Sequence, residues 1–151
     1  MMDEMTARLS KQLQIEEGVR LHLYNDTKGI LTIGVGHNIQ ANGISPAVAE
    51  LMLAEDIQAN VAFLSRYGWF TGLSDVRKAA IIDMSFMGIE RLLHFVLMIG
   101  FLMHASWENA AKEVTDSQWY KDVGPTRGMR VATMIETDQW PKDIPFSETA
   151  L

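Results

Sequence analysis

The sequence predicts an α+β protein, with a small β-hairpin lobe, a long helix and a larger all-helical lobe. Three observations carry that reading. Alternation with a period of two, framed by turn formers, is confined to about residues 15–45. A capped helical stretch begins at Ser45-Pro46 and runs to about residue 67. From about 68 onward the chain reads as successive helices. The whole of 1–151 is taken as one domain, with 15–45 as the hairpin lobe, 46–67 as the linking helix, and 1–14 with 68–151 as the helical lobe.

Met5, Leu9 and Leu13 recur at helical spacing, and Gly18 supplies a helix stop, so Glu17 falls in the last turn of the first helix. Leu21 and Leu23 then alternate with Arg20, His22 and Tyr24 as a strand. Asn25-Asp26-Thr27-Lys28-Gly29 is a run of turn formers, followed by a second strand, Ile30-Leu31-Thr32-Ile33. The hairpin loop is therefore longer than two residues. Asn42-Gly43 is a further turn signal that leaves room for only a short third strand. Val48, Leu51, Ile57, Val61 and Leu64 stripe the long helix, which Gly68 ends. Further helices are expected from Ser74-Asp75 to about Met87, and at about 90–104, 106–115 and 125–137, with Ser106 and Thr126 as candidate caps.

Composition narrows the function. A net charge of −6 and a pI of about 5.1 argue against nucleic acid and against whole-protein affinity for anionic polymers. Cysteine is absent, which removes disulfides, thiol nucleophiles and thiolate metal sites. Four scattered histidines give no metal spacing, and no cofactor is called for. The first residues lack a signal-peptide core, so the chain is expected in the cytoplasm of the producing cell, with action outside it needing a separate release route. The most apolar run, Leu92 to Met103, is short of the roughly 18–20 residues that a membrane span needs. It is read as a deeply buried helix; an exposed patch for a partner or membrane surface is the alternative.

Two carboxyl groups stand out. Cleaving a glycosidic bond takes one protonated carboxylic acid for the leaving oxygen and one carboxylate to activate water or stabilise the transition state. Glu17 at a helix C-terminus meets partial negative charge, which disfavours its ionised form, and burial against the hairpin would act in the same direction. Asp26 lies in a polar turn with free backbone N–H groups, which favours ionisation. Alone, a Glu near a helix end is usually a solvated surface acid and an Asp in a hairpin turn is usually a turn former. Thr32 alone is an ordinary strand residue.

The string around them is more specific. Ile15-Glu16-Glu17-Gly18-Val19-Arg20-Leu21, Tyr24-Asn25-Asp26-Thr27-Lys28-Gly29 and Leu31-Thr32-Ile33-Gly34-Val35-Gly36-His37 closely resemble the active-site region of the T-even-type phage lysozymes, the endolysins of glycoside hydrolase family 24. Trp107-Glu108-Asn109-Ala110-Ala111 and Trp119-Tyr120 with Arg127, Arg130 and Trp140 extend the resemblance over nearly the whole chain. It implies a lysozyme-like fold that hydrolyses the β-1,4 bond between N-acetylmuramic acid and N-acetylglucosamine in bacterial peptidoglycan. It further implies a monomer without stable membrane insertion, reaching the wall with the help of a holin during host-cell lysis.

Residue by residue, the resemblance makes Glu17 the general acid and Asp26 the second carboxylate. Thr32 becomes the threonine that places the attacking water. It implies inversion by single displacement, with the two carboxyls about 6.5–9.5 Å apart. Arg127 would orient Glu17 and the muramyl side of the substrate, although a close cation would also lower the acid's pKa. Phe86 and Gly36 are candidate substrate contacts. His37 is expected to pair with Asp56 on the long helix as a structural ion pair.

Two departures from the family matter. The segment Asn38 to Ile44 is short, and Ser85-Phe86-Met87-Gly88 lacks the amide residue that usually follows the phenylalanine. A lytic transglycosylase using Glu17 alone remains open, as does a non-catalytic glycan-binding or virion module on the same fold.

Overall fold

The computed structural model describes residues 3–145, which form two compact units, one up to Leu53 and one from Ala54 on. The boundary falls inside a 19-residue helix, α3 (Pro46–Leu64).

The first unit opens with α1 (Glu4–Glu17). Asp3 caps it by accepting the Thr6 N–H at 2.7 Å, and Gly18 at φ 72° ends it. The Met5, Leu9, Leu13 stripe is not buried, since no α1 residue is. Three apolar residues spaced by four drift about 40° per step around a helix, too thin a stripe to dictate burial. Three antiparallel strands follow in the order β1 (Arg20–Asn25), β2 (Leu31–Gly34), β3 (His37–Asn38). A short helix, α2 (Ile39–Asn42), stands where the sequence suggested only a turn; the Asn38 side chain caps it on the Ala41 N–H.

The second unit is helical and holds the core. The remaining helices are α4 (Gly68–Thr71), α5 (Asp75–Ser85), α6 (Ile89–Leu93), α7 (Val96–Met103), α8 (Trp107–Thr115), α9 (Gln118–Val123) and α10 (Pro125–Thr137). Phe70, Ile81, Met84, Leu92, Met98, Val114, Val131 and Ile135 are almost wholly buried. Arg77 ties α5 to the end of α10. Its Nε donates to the Ile135 carbonyl at 2.8 Å, it pairs with Asp138 at 3.2 Å, and its guanidinium lies 3.8 Å from the centre of the Trp107 ring. It thereby satisfies carbonyls left open at a helix C-terminus.

Several boundaries differ from expectation. The helix predicted over 90–104 is broken at His94-Phe95, where His94 N–H and Phe95 N–H turn back to the carbonyls of Arg91 and Leu92 in tight i→i−3 bonds. Helices α4 and α9 were not predicted. The helix expected to reach Met87 ends at Ser85, and α10 is capped by Gly124 ahead of Pro125 rather than by Thr126. The apolar run 92–103 is not deeply buried throughout. Leu92, Met98 and Leu102 are, but Val96, Leu97 and Met103 are 69%, 64% and 63% exposed. An eight-residue surface helix can bury only the stripe that faces the core, however apolar the rest. Among the described residues no helix is long and apolar enough to cross a membrane.

Candidate active site

In the first unit, local backbone chemistry places each acid. Gly18 stops α1 directly after Glu17, so this carboxyl stands at the helix end; its side chain is exposed, and the burial expected from the sequence is absent. Asp26 opens the β1–β2 loop. Its Oδ1 accepts the N–H groups of Lys28 and Ile30, both at 2.8 Å, while its backbone carbonyl accepts the Gly29 N–H at 3.0 Å. Gly29 at φ +77° supplies the left-handed position with which such a loop closes. Asp26 is thus both turn former and candidate base, one oxygen committed to the turn.

Strand register sets the rest. Tyr24 faces Thr32 across the first pair and Thr32 faces Asn38 across the second, so the three share a row across the sheet. Thr32 is 4% exposed, and its hydroxyl donates to the Ile30 carbonyl at 2.9 Å, leaving oxygen lone pairs free to accept. Glu17, Asp26, Thr32 and Gly36 line one pocket of about 410 Å³, together with Arg20, Tyr24, Asn25, Thr27 and Asn38. Gly36 adopts φ +68°, and a Cβ built there would lie 3.7 Å from Glu17 Oε2, so the backbone runs close beside the acid. His37 has its Nε2 2.7 Å from the Gly43 carbonyl, a bond that closes the α2 segment within its own unit; Asp56 belongs to the other unit.

In the second unit, Phe86 and Arg127 line a pocket of about 470 Å³ with Arg91, Gln118, Trp119 and Asp122. Phe86 is 44% exposed and caps the end of α5. Arg127 donates from Nε to Asp83 Oδ1 at 2.8 Å and from a terminal nitrogen to the Asp83 carbonyl at 3.2 Å. A solvent-facing aromatic ring beside a guanidinium held in place suits the apolar face and the hydroxyls of a sugar.

Sequence reasoning did not single out Arg20, Tyr24, Asn25 and Asn38 in the first pocket, or Trp119, Arg91, Gln118 and Asp122 in the second. The alternation of β1 offered a usable signal, since Arg20 and Tyr24 were its polar-face residues. A further pocket of the second unit, about 560 Å³, lies between α10 and the following tail. Among the described residues its carboxylate is that of Asp143, which is paired with Arg130 at 2.6 Å. Among the described residues no group of three His, Asp or Glu side chains is placed to hold a metal ion.

The family model for phage lysozyme matches residues 14–135. The chain belongs to the phage lysozyme family. It is 29% identical to probable T4-type lysozyme 1 of Dictyostelium discoideum, over 88% of this chain and 96% of that protein. It is 26% identical to probable T4-type lysozyme 2 of the same organism, with the same coverage. The pre-baseplate central spike protein Gp5 of Enterobacteria phage T4 is 28% identical over 89% of this chain, which corresponds to 28% of the spike protein. Family membership makes this chain a lysozyme, an enzyme that hydrolyses peptidoglycan, and its α+β fold with a small three-stranded sheet is the lysozyme-like one.

Proposed function

We propose that this lysozyme cleaves the β-1,4 bond between N-acetylmuramic acid and N-acetylglucosamine by a single displacement with inversion. The observation that carries the reading is the convergence of Glu17, Asp26 and Thr32 on one pocket. Glu17 gives its proton to the glycosidic oxygen as the C1–O bond breaks. Water attacks C1 from the opposite face and its proton passes to Asp26, whose Oδ1 is held by two backbone N–H groups while Oδ2 faces the water. The Thr32 oxygen, with its proton directed to Ile30, accepts from the same water and fixes its angle. Carboxyls about 6.5–9.5 Å apart would leave room for that water. Within the second unit, Phe86 and Arg127 are the candidate sugar contacts of the pocket they line.

A lytic transglycosylase would have no use for Asp26 and Thr32 beside the acid, so their presence in the pocket favours hydrolysis. We further infer, from the family resemblance, a role in host-cell lysis with release by a membrane-permeabilising partner of the holin kind. The match to a baseplate spike protein supports a second setting, a lysozyme carried on the virion.

Purified protein applied to outer-membrane-permeabilised Gram-negative cells should clear the suspension, and the products should end in reducing muramic acid. Absence of clearing would refute the assignment. Anhydro-muramic ends would replace hydrolysis by transglycosylation.

A further inference from the structure

The catalytic pocket contains a guanidinium that the mechanism does not use. Arg20 is the first residue of β1, two positions after the Gly18 turn, and its register partner on β2 is Gly34, which has no side chain to cover it. The guanidinium carbon lies 4.3 Å from the centre of the Tyr24 ring. Such stacking fixes the plane of the group while leaving its in-plane N–H donors free. The ion pairs among the described residues engage Arg8, Arg77, Lys78, Arg127 and Arg130, not Arg20. The contrast with Arg127, whose Nε is committed to Asp83, is direct.

We propose that Arg20, held flat on Tyr24, determines specificity by binding a free carboxylate on the peptide stem of the substrate strand. The proposal rests on the peptidoglycan reading above. The sugars of the strand offer hydroxyls and acetamido groups, which are neutral; its carboxylates come from the stem peptides. A planar fork of N–H donors matches a carboxylate by two parallel hydrogen bonds, a geometry that neutral sugar groups do not share. Charge agrees. Among the described residues Arg20 is the one cationic side chain lining the pocket, where it would offset the Asp26 carboxylate. An incoming carboxylate meets Asp26 with one oxygen already screened by backbone N–H groups.

The test compares two defined glycan strands, one with free α-carboxylates on its stem peptides and one with the same groups amidated. Wild-type enzyme and R20Q are assayed for kcat and KM on both. Wild type should favour the free-carboxylate strand by about tenfold, mainly through KM, the scale of one charge-assisted hydrogen-bond pair at an exposed site. R20Q should lose that preference to within about twofold, and R20K, which keeps the charge but not the fork, should fall between. Equal cleavage of both strands by wild type overturns the proposal without any variant, and so does an R20Q enzyme that is slowed equally on both. A wild type that cleaves neither strand refutes the peptidoglycan reading itself.

Discussion

The two units of this lysozyme hold their candidate functional side chains by different means. In the first, the buried residue of note is Thr32, and Leu21, Leu23 and Ile15 stand 79%, 56% and 77% exposed. Position there comes from hydrogen bonds and φ angles: Asp26 wired to Lys28 and Ile30, Asn38 capping α2, His37 on Gly43, and glycines at positive φ beside Glu17. In the second, every buried apolar residue among those described lies at Leu64 or later, and Arg127 and Phe86 stand on helices fixed by that core. A polar acid–base site needs donors and acceptors at set angles, which a tight hairpin provides, whereas a sugar-contact surface needs a firm base, which packing provides. Substitutions in the first unit should therefore act on rate, and substitutions in the second on stability.

The largest expected effect is on rate. Glu17→Gln should lower kcat by about 10³-fold while its thermal melt overlays that of wild type, because the exposed side chain contributes no packing. A melt shifted as far as the activity would erase the contrast. Asp26→Asn comes next. Asparagine keeps an Oδ1 that can accept from Lys28 and Ile30, so the turn survives while the base is lost, and kcat should fall about 10²-fold. Glycan digestion followed by reducing-end assay, with circular dichroism on the same samples, separates rate from fold.

Stability comes next in size, and there the second unit should respond. Gly128→Ala puts a Cβ 2.3 Å from Tyr120 Cδ2, which demands a shift of the ring or of α10. The cost should be about 1–3 kcal/mol, read as a fall in Tm of roughly 3–10 °C. Arg77→Met removes the bonds to Ile135 and Asp138 that finish α10, and should cost about 2 kcal/mol in urea unfolding. Neither variant should need a change in catalytic pH profile.

The smallest effect is electrostatic. The hydrogen bond from Arg130 holds the Asp143 carboxyl below its ordinary value of 3.8, against a smaller opposing effect of burial. A carboxyl lowered in the folded state stabilises it at pH values above the unfolded value and loses that contribution as pH falls through the folded one. The tail after α10 should hold from neutral pH down to about 5 and loosen below about 4. Asp143→Asn should show the loosened tail at pH 7, detectable by hydrogen exchange over 139–145, with little change in global Tm.

Much of this was legible in the sequence because it is local. The Gly18 stop, the Asp26 turn and the Ser74 cap on the Arg77 N–H are set by residues within a few positions of one another. What was not legible depends on partners distant in sequence. The Arg127–Asp83 pair spans 44 positions and the Arg77 contact with Ile135 spans 58. The break at His94-Phe95 carries no Gly or Pro, and the apolar run from Val96 to Met103 gave no sign of which residues would face water. Trp119 was one of four tryptophans until the fold placed it beside Arg127.

The central claim is that a water held by Asp26 and Thr32 attacks the sugar directly. Proton NMR of a defined glycan strand during the first minutes of digestion reads the configuration of the new reducing end before it mutarotates. Single displacement at a β-linkage predicts that the α-anomer of N-acetylmuramic acid appears first. Initial release of the β-anomer would mean a covalent intermediate, and would contradict the role assigned here to Asp26.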